Sequence, residues 1–222
     1  QGDWSSDVCS SDLARFYQRL YLNPEFRLFF ADRIHKHMFN GGALTDANMK
    51  ARFEELRKIM AGALPGMDTS IVTTWIPQRR PVLMSLFNQN KILASSNAPV
   101  FSQFGGRVPL NYSLKLTASN TPATNWAIYY TLDGSDPRVA FTGDIAANAF
   151  KYDSNQPIVV NQSFQVSART RTGTNWSAIT AARFDAGRLG SPLRITEIMY
   201  NPVGGDAYEF IELRNMSDAP LD

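Results

Sequence analysis

Two carboxylates share one short stretch of this sequence, Asp133 and Asp136 in TLDGSDPR. Oxygen ligands on a tight loop suit a hard cation such as Ca²⁺, so the pair is a candidate metal site. A structural role is favoured over it: Asp133-Gly134 supplies turn geometry, and Asp136 before Pro137 can organise the loop through side-chain-to-backbone hydrogen bonds. Trp126, Tyr129, Tyr130 and Trp176 are candidates for a sugar-stacking platform. Tyr129 and Tyr130 are adjacent, so in a strand they face opposite sides of the sheet and one of them is expected to be exposed. Core or interdomain packing is the favoured role, because a sandwich buries one face of each sheet and with it about half of its aromatics. His35 and His37 lie two apart on a predicted helix and point to nearly opposite sides. Without a third residue they cannot share a metal ion, and solvent-facing helix polarity is favoured. Glu197, Glu209 and Glu212 could ligate a metal, but pairing with Arg194 and Arg214 on the surface is favoured, and such pairs contribute little. No catalytic and no cofactor-binding residue is assigned.

The elements that must position these residues fall into three stretches. Residues 14–94 read as helical. Asn23 is an N-cap with Pro24 at the first helical position. Phe26, Phe29, Phe30, Ile34 and Met38 follow at steps of three and four, giving one apolar stripe. Gly41 and Gly42 close that helix as left-handed C-caps; because they follow a helix, NGGALT is not a phosphate loop. A second helix begins at the N-cap Thr45, with Met49, Phe53, Leu56 and Met60 on its buried face. A third can start at Pro77, with Leu83, Leu86 and Phe87 inward and Pro81 in its first turns.

After a linker, residues 98–186 alternate with period two between turn signals, which predicts a β-sandwich. Tyr112, Leu114 and Leu116 alternate in one strand; Phe164, Val166 and Ala168 share a face in another. From about residue 192, two strands surround a Gly-Gly turn, with apolar Ile195, Ile198, Phe210, Ile211 and Leu213. Two strands are not a stable unit alone, so a third domain is expected to begin here and to be cut off.

Composition narrows the function classes. The chain has 222 residues, 44% of them hydrophobic, enough for one large or two small folded domains. No run of about 18 apolar residues occurs, so no membrane span is expected. The formal charge of +2 comes from scattered Lys and Arg, which gives nucleic-acid binding little support. The single Cys9 excludes an internal disulfide.

The opening QGDWSSDVCSSDL has neither the basic nor the apolar region of a secretory signal. Back-translated from Asp3 to Leu13, it resembles a common sequencing-library adapter. Residues 1–13 are therefore expected to be a disordered artefact; the bland alternative is a Ser/Asp linker. Without this stretch three acids and Cys9 disappear, and the formal charge rises from +2 to +5. The absence of an initiator Met and the ending NMSDAPLD make both ends read as cuts.

Three resemblances follow from quoted residues. NPEFRLFFADRIHKHMFNGGALT, RFEELRKIM and WIPQRRPVLMSLF resemble the C-terminal end of the CotH kinase family of spore-coat protein H-like kinases. APVFSQFGGRVP, IYYTLDGSDPR and PIVVNQSFQVSARTRTGTNWSA resemble the chitobiase/β-hexosaminidase C-terminal-type module, also called the fibronectin type III-associated module. LRITEIMYNP and EFIELRN resemble the start of a lamin tail domain. The resemblances imply an α+β multidomain fragment: residues 14–94 the helical end of a kinase-like domain, 95–188 an immunoglobulin-like β-sandwich, and 189–222 two strands of a truncated second sandwich. They imply a bacterial parent, secreted or at the cell surface, that phosphorylates proteins with ATP and Mg²⁺. That chemistry needs a lysine on the phosphates and acidic or amide side chains on the metal; none of that constellation occurs here, so no cofactor is assigned to this chain.

Three functions compete. The first is a non-catalytic segment whose helical part buttresses a kinase core and whose sandwiches act as spacers or adhesive modules. Its partners are neighbouring domains and a cell-surface polysaccharide or protein. The second is a carbohydrate-binding accessory module of a glycan-active enzyme. The third, an enzyme in its own right, is disfavoured by the missing active-site residues.

Overall fold

The computed structural model describes residues 15–64, 66–118, 125–187 and 193–216. The stretch 1–13, with the disorder expected of it, and Cys9 lie outside the described residues. The architecture is α+β: a helical region, a β-sandwich, and a separate two-stranded sheet. Among the described residues no helix is long and apolar enough to cross a membrane.

Helix α1, Pro24–Met38, starts as its sequence dictates: Asn23 caps it, its side-chain oxygen accepting from the Glu25 N–H at 2.9 Å. Ala31, Ile34 and Met38 are buried. Ile34 and Met38 join Ile92 in a small core that Phe30, Leu83, Met84 and Phe87 cover. Phe29 departs from the expected stripe and is 54% exposed. The helix also ends before the glycines. Phe39 is the C-cap, and Asn40 and Gly41 turn the chain at φ 51° and 74°. Gly42 serves close approach rather than positive φ: a Cβ there would lie 2.3 Å from the Lys36 carbonyl oxygen.

Helix α2, Asp46–Met60, follows Thr45 as expected, but Thr45 Oγ1 donates back to Gly42 O at 2.8 Å instead of capping. The expected buried face is only partly covered: Met49 and Phe53 are half-buried, whereas Leu56 and Met60 are exposed. Helix α3, Ile76–Gln89, is entered earlier than expected through a π-helical turn, Ile71–Trp75. Pro77 has no N–H for the carbonyl four residues back, and the wider turn, closed by Ile76 N–H to Ile71 O, carries the helix past it. Leu86, expected inward, is exposed.

The connection to the sandwich is anchored at both ends. Ile92 is buried in the helical core, Ser96 Oγ donates to Thr172 Oγ1 at 3.0 Å, and Thr180 Oγ1 donates to the buried Pro99 carbonyl at 2.6 Å. The principal sheet runs in the order β2 (Gly106–Val108), β10 (Thr180–Ala186), β8 (Phe164–Thr172), β5 (Trp126–Thr131) and β6 (Phe150–Lys151), with β9 (Asn175–Trp176) paired to β8. All its pairs are antiparallel except β10 with β2. The facing layer consists of β1 (Val100–Phe101) with β4 (Leu116–Thr117), and β3 (Tyr112–Leu114) with β7 (Ile158–Val160). Phe101, Leu114, Leu116, Ile158 and Val160 from this layer meet Ile128, Val166, Ala168, Ala182 and Phe184 from the principal sheet.

Alternation places Val166, Ala168 and Thr170 on the core side of β8, yet Ser167 and Arg169 on the other side are buried as well. Strand β8 is covered on both faces, because α1 and the DGSDP loop lie against its outer face.

The last sheet pairs β11 (Leu193–Met199) with β12 (Phe210–Asn215). Its connection is not a tight Gly-Gly turn: positive-φ Asn201, Gly204 and Gly205 precede a 3₁₀ turn at Asp206–Tyr208. A bulge at Thr196 shifts the register, so that Ile195 faces Leu213 and Ile198 faces Ile211. Residues three apart would otherwise point to opposite faces; the extra residue returns both isoleucines to one face. Leu193, Ile195, Ile198, Ile211 and Leu213 form that face and are exposed. Replacing Gly42 by Ala is expected to lower stability by about 2 kcal/mol through the backbone clash, read from the urea midpoint at constant m-value.

Candidate functional site

The outer face of β8 holds the densest polar cluster of the molecule's described part. Arg169 stands at its centre with its side chain 3% exposed. Its Nε and Nη2 donate to the two oxygens of Asp136 at 2.8 and 2.7 Å. Its Nη1 and Nη2 donate to the two oxygens of Asp32 at 2.8 and 2.7 Å, and Nη1 donates again to the Ser177 carbonyl at 2.7 Å. All five guanidinium N–H groups are thereby used, by three elements remote in sequence. Burial opposes the charge on Arg169, but the hydrogen bonds it donates to Asp136 and Asp32 outweigh it and hold the guanidinium well above its usual range.

Each carboxylate has further partners. Asp32 Oδ1 accepts from the Ile179 N–H at 2.8 Å, and Asp136 Oδ1 accepts from the Arg138 N–H at 3.0 Å. Arg138 then reaches from the same loop to Glu25 in the first turn of α1, Nη1 to Oε2 at 2.9 Å with a second bond to Oε1. The Arg138 hydrogen bond holds Glu25 below its ordinary carboxylate range. Two bidentate arginine–carboxylate contacts, one turn pair apart on α1, therefore fix both the position and the rotation of the helix on the sheet. Such a cluster offers no unpaired acid, base or nucleophile; its chemistry is that of a joint.

Of the two candidate metal ligands, Asp136 is thus occupied by Arg169. Asp133 accepts from the Ser135 N–H and Oγ at 2.9 and 2.6 Å and from Asn148 Nδ2 at 2.8 Å. Among the described residues no three His, Cys, Asp or Glu side chains gather around a common point. Gly134, at φ 80°, makes the turn that sends Asp133 and Asp136 in different directions.

The four aromatic candidates do not share one surface. Trp176 is buried, its Nε1 donating to the Gly143 carbonyl at 2.8 Å. Tyr129 meets it edge-on at 5.7 Å, and Arg171 lies over its ring at 5.4 Å. Tyr130 points to the opposite side, packs on the core and contacts Phe150 and Tyr152. Trp126, at the end of β5, is 40% exposed. The structure therefore brings Tyr129 and Trp176 together and separates both from Tyr130 and Trp126.

His35 is not solvent-facing helix polarity. Its ring stacks on Phe39 at 5.1 Å and lies against the sandwich at Ile179. Burial lowers its pKa, against a hydrogen bond to the Ile179 backbone and the charge of Asp32. His37 is half-buried on a different side of α1. Near the end of the chain, Glu212 Oε1 accepts from Thr196 Oγ1 at 2.7 Å and Glu209 Oε1 from the Asn201 N–H at 3.2 Å, while Glu197 sits across from Glu212. Glu212 and Glu209 thus tie down the bulge and the loop.

Residues 114–184 match a family model described as Fn3 associated. That stretch contains Asp136, Arg138 and Arg169; Glu25 and Asp32, which complete the joint, lie outside it. No curated protein matches the chain. A solved structure, "Chimeric titin Z1Z2 functionalized with a KLER exogenous peptide from decorin", is 13% identical, covering 49% of this chain and 57% of that one with a TM-score of 0.21.

Sequence reasoning singled out Asp136 but not Glu25, Asp32, Arg138 or Arg169. One signal was present: Arg169 sits mid-strand in FQVSARTRT, where a nine-residue strand with an inward Val166 and Ala168 still carries a central charge.

Replacing Arg169 by Met strands two carboxylates and is expected to cost about 3 kcal/mol in urea unfolding, the low end for a broken buried ion pair because Asp136 is partly in water. Acid should weaken the fold in two stages. The folded-state pKa of His35 is lowered, so its contribution is complete above the ordinary 6.5 and is lost as pH falls through the lower folded value. Glu25 is also lowered, and its contribution is lost only below the ordinary 4.5. Thermal melts from pH 8 to pH 2 should show both declines, and His35→Gln should remove the first.

Proposed function

We propose that the chain is a non-catalytic scaffold segment of a larger secreted or cell-surface protein of the CotH kinase type. In this reading residues 14–94 are the helical end of the kinase-like domain, 95–188 the Fn3-associated sandwich, and 189–222 the first hairpin of a lamin-tail-like sandwich. The supporting observation is the joint of Arg169 with Asp32 and Asp136, reinforced by Arg138 with Glu25. A flexible spacer has no use for a buried guanidinium with every donor committed across two regions; a module that must hold one orientation does. The exposed apolar side chains Leu56, Ile59 and Met60 of α2 suit a helical region that supports a neighbouring domain. Partners in this reading are neighbouring domains of the same protein.

Two measurements test it. Incubated with ATP and Mg²⁺, the chain is expected to release no ADP and to label no residue of its own; turnover above the buffer rate would overturn the non-catalytic reading. Backbone ¹⁵N relaxation is expected to give α1 and β8 amides one rotational correlation time. Two separate times would overturn the scaffold.

A second reading, an accessory carbohydrate-binding module of a glycan-active enzyme, draws on Trp126, whose ring edge remains accessible at the end of β5. Glycan-array binding abolished by Trp126→Ala would favour it over the scaffold.

A further inference from the structure

Beside the joint, the C-terminal half of α1, the loop carrying Phe104 and the outer face of the sheet enclose a cleft of about 500 Å³, with the His35–Ile179 contact in its wall. Small-ligand sites span roughly 300–1,000 Å³. Its floor is the outer face of β8 and β10 at Gln165 and Ala181. Phe29 on the helix and Phe104 on the β1–β2 loop line its sides, 54% and 44% exposed, with Phe104 held from behind by Phe101 at 6.3 Å. Arg33 lies over the Phe29 ring at 4.9 Å, and Lys36 follows one turn later. Neither cation has an ion-pair partner among the described residues. Asp32, the acid beside them, is committed to Arg169. The side-chain amides of Asn40 and Gln165 also line the cleft, with no hydrogen-bond partner among the described residues.

We propose that this cleft binds a sugar ring bearing a carboxylate, a uronate unit of an acidic glycan. The ring lays its C–H face on Phe104 or Phe29, its carboxylate pairs with Arg33 and Lys36, and its hydroxyls meet the Asn40 and Gln165 amides. An aromatic acid shares the apolar face and the charge but has no hydroxyls for the two amides, which is why a polyhydroxylated ring fits better. This goes beyond the scaffold reading, and the site is separate from Trp126.

The whole chain is titrated with tri-galacturonate by ¹H–¹⁵N NMR in low salt, with galactotriose and benzoate as comparators. Expected are saturable shifts at Phe104, Gln165 and Ala181 that weaken as salt is added. Arg33→Ala with Lys36→Ala should weaken binding at least about tenfold, corresponding to a loss of about 1.4 kcal/mol. Phe104→Ala should also weaken it, and Trp126→Ala should leave it unchanged. Both cations are at the surface; should the double variant misfold, Phe104→Ala and the salt dependence still decide. Absence of saturable shifts overturns the site. Equal affinity for galactotriose overturns the role of the cations, equal affinity for benzoate overturns the sugar, and sensitivity to Trp126→Ala alone moves binding to the other surface. None of these outcomes bears on ATP turnover or on the rotational correlation times, so the scaffold reading stands or falls separately.

Discussion

A guanidinium in a nearly dry place has to have its charge and all five donors answered, and the fold around Arg169 is organised by that requirement. Asp136 answers from the sandwich's own loop, Ser177 from the next turn, and Asp32 from a helix 137 residues earlier in the chain. Burying an ion pair yields little net stability against an apolar alternative, so the cluster is better understood through what it forbids. Any sliding or rolling of α1 on β8 would leave a charge without a partner at a high cost. Glu25 and Arg138 repeat the constraint one helical segment away, which removes the remaining rotation.

The joint accounts for features that local patterns do not. Strand β8 is buried on both faces, whereas its neighbour β10 alternates buried and exposed residues. On β8 the central Arg169 is covered by Asp32 from the helix and by Asp136 from the loop. The loop TLDGSDPR gains a double role: Asp133 folds it through Ser135 and Asn148, and Asp136 and Arg138 attach it to partners outside it. His35 becomes half-buried because the same docking presses its ring toward Ile179.

What was legible in the sequence was periodic or local. Asn23 and Pro24 announced the start of α1, and Leu114, Leu116, Val166 and Ala168 alternated as they do in the sandwich core. The fold class, helices followed by a sandwich and a separate pair of strands, followed from these patterns. What was not legible depended on pairs far apart in the chain. The end of α1 was misjudged because Asn40 adopts the left-handed conformation before Gly41 does, and Gly42 does not adopt it. The α-helical start of α3 lies within one residue of the expected Pro77, but the π turn ahead of it, Ile71–Trp75, left no sequence signal. Residues 158–186 form four strands, and the short β9 among them exists only by pairing with β8. At the candidate sites, Asp133 and Trp176 have partners within the module, whereas Asp32 and Arg169 recognise each other only once the helix has docked.

The separation of Asp32 from Arg169 has a consequence for how such a chain can evolve. Accessory sandwiches are commonly thought of as interchangeable parts, spliced at linkers between self-sufficient units. Here a cut at residue 95 would pass through an electrostatic unit, leaving Asp32 without its cation on one side and Arg169 with Asp136 as its remaining carboxylate on the other. A recombined protein would inherit an unanswered aspartate on the helix and two uncommitted guanidinium N–H groups on the strand. Exchange of the sandwich alone therefore carries a penalty at Asp32 and Arg169 that joint transfer avoids.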